Sequence, residues 1–181
     1  VDWEHVAPAL VPDREQGEAG CWSGACVVPQ AGEPLIIYSS QQTDPGELSA
    51  GAINRLEQRL ARGEESLERW EQEPEEILPR PERSGGPPIA PDWRDPYLVS
   101  VGDRRALVIA ARVADESWDS VILLYEARDR RLRHWEYRGV LFRRPLNEIR
   151  YFECPNLLPL GDRWLLLASP YGPIRYYSGA L

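Results

Sequence analysis

The sequence contains no lysine and no methionine, and it has only two histidines and two phenylalanines among 181 residues. Every basic residue is therefore an arginine, and the arginines form no continuous basic block. Acidic residues outnumber them, so the formal net charge is −8 at pH 7. A protein that binds nucleic acid needs a basic face to neutralise phosphates. The charge balance argues against nucleic acid as a partner.

Long apolar runs are also missing. None approaches the roughly 20 residues that span a bilayer, and the chain does not open with a basic segment followed by an apolar one. The sequence thus predicts no membrane partner. It starts "VDWEHVAP", without an initial methionine. We expect this N-terminus to be truncated, so the missing signal peptide leaves secretion open.

Cysteine is scarce, and the three present are Cys21, Cys26 and Cys154. An odd number without the spacing of metal ligands does not indicate a disulfide framework or a metal site. It favours a reducing compartment, and we therefore predict a cytoplasmic protein.

A short phrase recurs along the chain. It reads "VDWEHVAPALVP" from residue 1, "ERWEQEPEEILP" from residue 68 and "RHWEYRGVLFRRP" from residue 133. The tryptophans at its head are Trp3, Trp70 and Trp135, which places them 67 and 65 residues apart. We assign these aromatic residues to packing between repeated units, because self-similarity at a fixed period is typical of repeat architectures.

Short β-type runs follow each phrase in the same order, bounded by Gly, Pro and Asp. Turns such as "VGDR" and "LGDR" between neighbouring runs fit hairpins. A four-stranded antiparallel sheet repeated at a fixed period is a propeller blade. The sequence therefore predicts an all-β partial propeller, with the end of one blade at 1–12, full blades at 20–79 and 91–145, and the start of another at 150–181. Because propellers need about four to eight blades, we expect a longer protein.

One segment opposes this interpretation. In "INRLEQRLARGEESLERW", apolar residues recur at helical spacing among strong helix formers, so the local pattern favours an amphipathic helix. The repeat, however, aligns residues 54–62 with the strand-like run "SVILLYEA". We therefore predict a strand over 54–62.

Three motifs, "WSGAC", "WRDP" and "FECP", occupy equivalent points on the first strand of each repeat. In a propeller that strand is innermost, and its end faces the central channel. Asp95 and Glu153 are then neighbours across a pocket, and a pair of carboxyl groups is what glycoside hydrolysis uses.

These motifs, together with "HVAPALVPD", "NLLPLGDRWLLLASP" and "HWEYRG", resemble glycoside hydrolase family 32, the β-fructofuranosidases, which include invertases, sucrose-6-phosphate hydrolases and levanases. The likeness covers nearly the whole chain. It implies a five-bladed propeller and retaining cleavage of terminal β-D-fructofuranosyl residues from sucrose-like or fructan substrates. It implies no metal and no organic cofactor.

The resemblance also implies roles for individual residues. Glu153 of "ECP" corresponds to the acid/base that protonates the departing oxygen and then activates water. Asp95 of "RDP" corresponds to the residue that binds fructose hydroxyls and stabilises the oxocarbenium-like transition state.

The remaining matched residues are substrate-binding ones. Arg94 is expected to orient the site, Trp22 and Ser23 to line the fructose pocket, and Cys154 to tune its neighbour Glu153. The family's nucleophilic aspartate lies in a Trp-x-Asn-Asp-Pro-Asn motif, and no such string occurs in this sequence. We expect that segment to precede Val1.

Three alternatives stay open at the level of sequence. Asp95 could simply cap a turn before Pro96, which is a common role of Asp-Pro. Glu153 could be a structural residue paired with Arg150. The whole chain could belong to a non-catalytic sugar-binding or scaffolding propeller. The oligomeric state is not indicated by the sequence.

Overall fold

The computed structural model describes residues 2–28, 32–43 and 55–181, and these residues form an all-β structure. Apart from strands, the described ranges contain two short 3-10 turns, Arg14–Gln16 and Pro81–Ser84. None of the helical segments found there is long and apolar enough to cross a membrane. The predicted all-β class is confirmed.

The strands form three antiparallel sheets, each built from consecutive strands that pair in chain order. The first sheet contains β1 (Glu18–Val27), β2 (Leu35–Gln42), β3 (Arg55–Gly63) and β4 (Trp70–Gln72). The second contains β5 (Arg94–Val101), β6 (Arg104–Arg112), β7 (Ser120–Ala127) and β8 (Trp135–Arg144). The third contains β9 (Glu153–Leu160), β10 (Arg163–Ser169) and β11 (Arg175–Gly179).

The contested segment is a strand, as the repeat predicted. β3 pairs with the whole length of β2, from Leu35 opposite Arg62 to Gln42 opposite Arg55. Its Leu56 and Leu60 are buried in the core. The ladder and this burial together outweigh the helix propensity of the isolated segment. Residues 53 and 54 lie outside the described residues.

The segment 1–12, which the sequence predicts to be the end of a blade, has no strand in its described part, since residues 2–13 are all outside strands. A strand needs a neighbour to pair its backbone N–H and C=O groups, and the described residues supply none for this segment. Trp3 is 93% exposed, so the packing role predicted for it is wrong in this structure.

The other two repeated tryptophans have matching local geometry. The indole N–H of Trp70 donates to the carbonyl oxygen of Leu67 at 3.1 Å, and that of Trp135 donates to Leu132 at 2.8 Å. Leu67 and Leu132 both have left-handed backbone conformations, with φ of 62° and 57°. The two tryptophans that lie 65 residues apart in the sequence therefore occupy the same local backbone structure.

The second sheet is buried on both faces. Side chains alternate along β6, so that Leu107 and Ile109 pack towards the first sheet while Val108 and Ala110 pack towards the third. The core between the first two sheets also contains Trp93, which is fully buried. The three sheets thus stack in sequence around two apolar interfaces.

The first strands of the three sheets lie side by side, with β5 between β1 and β9. Each of the three contains a β-bulge at the equivalent place, where two residues face one on the second strand. The bulged segments follow Cys21, Arg94 and Glu153. A bulge changes the direction of side chains near it. All three motifs singled out in the sequence therefore lie at bulges.

Gly24 ends the bulge of β1 and lies against the backbone of β2. A Cβ atom there would be 2.1 Å from the carbonyl oxygen of Ile37, so Gly24→Ala requires the backbone to shift. We expect this substitution to destabilise the protein by about 1–3 kcal/mol, the usual cost of overpacking. Urea unfolding measures the difference.

Gly179→Ala is the matched control, because a Cβ there meets no atom within 4 Å. It should leave the unfolding midpoint nearly unchanged. Equal effects of the two substitutions would contradict the close approach of β1 and β2.

Candidate active site

Arg94 and Glu153, which open β5 and β9, form an ion pair. The Nη2 atom of Arg94 lies 2.6 Å from Oε1 of Glu153, and it also donates to the hydroxyl of Tyr171 at 3.0 Å. The Arg94 side chain is 9% exposed, and that of Glu153 is 29% exposed. The ion-pair partner of Glu153 is thus Arg94 of the neighbouring sheet and not Arg150. The carboxylate is held in place yet stays accessible.

Asp95 lies beside this pair and is buried. Its Oδ2 atom accepts the backbone N–H of Cys154 at 2.9 Å and lies 3.9 Å from Nε of Arg94. The carboxylate therefore bonds to the neighbouring sheet, so its role is not that of a local turn cap. Burial raises the pKa of Asp95, and the nearby Glu153 adds to this rise, whereas the N–H of Cys154 and the charge of Arg94 oppose it.

An aromatic and ionic layer supports Arg94 from below. Its guanidinium lies 4.0 Å from the ring centroid of Tyr151, at a distance typical of cation–π contact. The Tyr151 hydroxyl donates to the carbonyl oxygen of Asp92 at 2.8 Å, and Arg112 binds the Asp92 carboxylate at 2.9 Å. These contacts leave Arg94 few alternative orientations.

A cavity of about 530 Å³ opens above the ion pair. Aromatic and charged side chains line it: Trp22, Asp92, Arg94, Arg112, Arg150, Tyr151, Glu153 and Tyr171. Its size and its charged and aromatic lining suit a small polar ligand.

Of the residues expected to bind substrate, Trp22 and Arg94 line this cavity. Trp22 donates its indole N–H to Gln41 at 3.2 Å, and its ring lies 5.9 Å from the Arg94 guanidinium. Ser23 and Cys154 are not among the lining residues. Burial is the main cause that raises the pKa of the Cys154 thiol, and the nearby Ser23 opposes the rise.

Five lining residues were not anticipated as site residues: Asp92, Arg112, Arg150, Tyr151 and Tyr171. Three of them are close in sequence to the motifs, since Asp92 lies two positions before Arg94, and Arg150 and Tyr151 lie within three positions of Glu153. Arg112 and Tyr171 come from the end of β6 and the loop after β10, so sequence spacing does not relate them to the motifs.

The arrangement can transfer a proton and bind hydroxyl groups. Glu153 has one carboxylate oxygen on Arg94, and its exposure leaves it accessible to a ligand in the cavity. Asp95 provides a second, buried carboxylate next to it. In the described part of the chain, no group of three or more His, Cys, Asp or Glu residues could hold a metal ion.

The family model described as the Glycosyl hydrolases family 32 N-terminal domain matches residues 1–178. Among curated proteins, the chain is 30% identical over 172 residues to a sucrose-6-phosphate hydrolase of Escherichia coli, covering 95% of this chain and 33% of that protein. It is 28% identical to a cell-wall β-fructofuranosidase of Zea mays over 169 residues, covering 88% of this chain and 26% of that protein. The chain thus spans about a third or less of the length of these relatives.

Solved structures agree with these similarities. The family 32 β-fructofuranosidase of Bombyx mori matches 99% of this chain and 37% of its own, with a TM-score of 0.75 and 25% identity. The sucrose-6-phosphate hydrolase of Lactobacillus gasseri matches 98% of this chain and 36% of its own, with a TM-score of 0.77 and 23% identity, which supports the propeller-type fold. Fold, motifs and family model agree, and the chain belongs to glycosyl hydrolase family 32.

Proposed function

We propose that the protein containing this chain is a β-fructofuranosidase that cleaves terminal β-D-fructofuranosyl residues from sucrose-like or fructan substrates with retention of configuration. The observation that carries the proposal is the cluster of Glu153, Arg94 and Asp95, built from the adjacent first strands of two sheets. Glu153 and Arg94 line the open cavity, whereas Asp95 is buried beside them and is not one of the lining residues. The motifs that supply these residues are those by which the sequence resembles family 32.

In this proposal Glu153 is the acid/base. Its carboxyl group protonates the glycosidic oxygen as the bond to the fructosyl carbon breaks, and the carboxylate later takes a proton from the attacking water. Arg94 holds one carboxylate oxygen at 2.6 Å and thereby fixes the orientation of the other. Geometry of this kind is a condition for efficient proton transfer.

Asp95 is proposed to bind fructose hydroxyls and to stabilise positive charge on the sugar ring. Its burial supports this role, since an electrostatic interaction is stronger where water is excluded. Burial raises the pKa of Asp95, but the N–H of Cys154 and the guanidinium of Arg94 oppose this rise and so favour the ionised form, which is the form that the role requires.

A retaining mechanism also needs a nucleophilic carboxylate, roughly 5–5.5 Å from the acid/base. The family motif that carries it is absent from these 181 residues. We propose that the nucleophile lies outside this chain. We further propose that the three sheets are consecutive blades of a five-bladed propeller, with blades at 20–79 and 91–145, the start of another at 150–181, and residues 1–12 leading in from a preceding blade.

The relatives support a fructoside as the substrate. They are named sucrose-6-phosphate hydrolase, β-fructofuranosidase and fructan 1-exohydrolase, and a variant of the Bombyx mori enzyme was solved in complex with sucrose. The substrates in these names all contain a fructosyl group. We propose that the cavity binds this group.

Replacing the acid/base tests the proposal directly. In the full-length protein, Glu153→Gln keeps the size of the side chain but removes its proton, so kcat for sucrose should fall about 10²- to 10⁴-fold with a smaller change in KM. A fructoside with a good leaving group should lose less. Initial rates of hexose release measure both.

Glu148→Gln serves as the matched control. Its side chain is 56% exposed and pairs loosely with Arg144 at 3.7 Å, so activity should be retained. Undiminished turnover by Glu153→Gln would show that Glu153 is a structural residue. A full-length protein that binds fructosides but does not cleave them would instead support the non-catalytic alternative.

A second prediction concerns the pH dependence of stability at Asp95. Because burial raises the pKa of Asp95, its ionised form is less favourable in the folded than in the unfolded state. Asp95→Asn should therefore raise Tm at pH 7 while it lowers activity. The gain should shrink as pH falls from the raised pKa of the folded state to the ordinary pKa of the unfolded state, below which the wild-type carboxyl is neutral in both states.

Thermal unfolding between pH 7 and pH 3.5 measures this effect. Asp103→Asn, at an exposed turn between β5 and β6, is the control and should give no comparable gain. A loss of stability on Asp95→Asn at pH 7 would mean that the bonds to Arg94 and Cys154 outweigh the cost of burial.

The third prediction is that the 181 residues alone do not hydrolyse sucrose, since the proposed nucleophile is not among them. Purified chain should release no hexose above background. The full-length protein, assayed in parallel, should do so. Turnover by the isolated chain that disappears on Glu153→Gln would place the nucleophile within these residues.

A further inference from the structure

Two buried polar residues of the first sheet contact the backbone around Asp95 in the second sheet. The hydroxyl oxygen of Ser39, on β2, accepts the backbone N–H of Asp95 at 3.1 Å. The same hydroxyl donates to Oε1 of Gln58, on β3, at 2.8 Å. The amide nitrogen of Gln58 donates in turn to the carbonyl oxygen of Trp93 at 3.1 Å. We infer that Ser39 and Gln58 are positioning residues, which hold Asp95 in its active orientation from the neighbouring sheet.

Burial makes the loss of any of these hydrogen bonds costly. Ser39, Gln58 and Trp93 are all fully buried, so no water replaces a lost partner. A buried polar group without a partner costs about 1–3 kcal/mol. The three hydrogen bonds form a continuous chain from the N–H of Asp95 through the side chains of Ser39 and Gln58 to the carbonyl oxygen of Trp93. Small shifts of the 93–95 backbone would break at least one of these bonds.

Asp95 needs such a constraint because its backbone is strained. Its φ is 63°, in the left-handed region, which is unfavourable for residues other than glycine. Conformations of this kind cost about 1–3 kcal/mol and persist where the surroundings enforce them. Ser39 binds the N–H of this same residue, and it lies opposite the bulge of β1. Bulge and serine together connect the first two sheets at the site.

The constraint extends from Asp95 to the acid/base. Asp95 accepts the N–H of Cys154, which follows Glu153 directly and also has a left-handed conformation, with φ of 47°. The third sheet also uses a buried serine of its neighbour, since Ser120 accepts the N–H of Phe152 at 2.9 Å. The first sheet therefore influences Glu153 through Asp95, although it is not bonded to Glu153 itself.

The inference rests on the proposed function, and Ser39→Ala in the full-length protein tests it. Misplacing Asp95 weakens transition-state stabilisation more than substrate binding, so kcat for sucrose should fall about tenfold or more with a smaller change in KM. Gln58→Met, similar in shape but without the amide, should act in the same direction.

Ser40→Ala is the matched control. Ser40 is the next residue of β2 and is equally buried, but its hydroxyl bonds to Glu18 on the other face of the sheet. Its loss should lower Tm while kcat of the folded protein stays within about twofold of wild type. Equal losses of kcat in the two serine variants would reduce Ser39 to a structural residue.

A double-mutant comparison separates positioning from general destabilisation. In an Asp95→Ala background, Ser39→Ala should cause no further loss of kcat/KM, because the side chain that it positions is gone. Multiplicative losses would overturn the inference.

Amide hydrogen exchange provides a readout that does not depend on catalysis. Ser39→Ala should accelerate exchange at Asp95 and at Cys154, and Ser40→Ala should accelerate neither. Unchanged exchange at both amides would contradict positioning even if activity fell. A wild-type protein that cleaves no fructoside would contradict the proposed function, while the exchange rates still decide whether Ser39 holds Asp95.

Discussion

Apolar burial on both faces of the second sheet is the constraint on which the site depends. Leu107 and Ile109 face the first sheet, and Val108 and Ala110 face the third, so a single sheet sets the distance to both neighbours. Protein interiors of this kind are close-packed and deform little. The ion pair between Arg94 and Glu153 spans the interface between the second and third sheets, so its 2.6 Å distance is set by this packing.

Burying charged groups at the site lowers the stability of the folded protein, and apolar packing between the sheets offsets this loss. A buried ion pair often contributes little net stability, because desolvation opposes the attraction between the charges. Here Asp95 is buried next to a second carboxylate, and its pKa is raised as a result. Two residues in left-handed conformations add strain. Costs concentrated at one place are typical of functional sites.

Much of the fold could be predicted from the sequence because the repeat gave information beyond any local window. The clearest case is β3, where local propensity favours a helix but pairing with β2 decides the outcome. The limits have equally physical causes. Trp3 is exposed because no strand pairs with its segment among the described residues. Tyr171 and Arg112 reach the cavity through loop and strand geometry that their spacing from the motifs does not encode.

The site residues also divide into those that the sequence could predict and those that it could not. Asp95 and Glu153 could be identified because their motifs occupy equivalent points of the repeat, and Arg94 because its motif resembles one of family 32. The structure brings the three together. Ser39 and Gln58 could not, since a serine or a glutamine in a strand has no distinctive pattern until its buried partners are known.

The bulges have a consequence for how such a site can diverge. The segments "CWS" at 21–23, "RDP" at 94–96 and "ECP" at 153–155 occupy the same position of the first strand in three sheets, yet the only residue shared at an equivalent place is the proline of the last two, Pro96 and Pro155. In each bulge two residues face one on the partner strand, so the ladder on either side keeps its register whatever those residues are. Duplication of a blade therefore yields several copies of one backbone position whose chemistry can change independently. A binding aromatic residue, a stabilising carboxylate and a proton donor can each arise by exchange of a few adjacent codons, without a new fold.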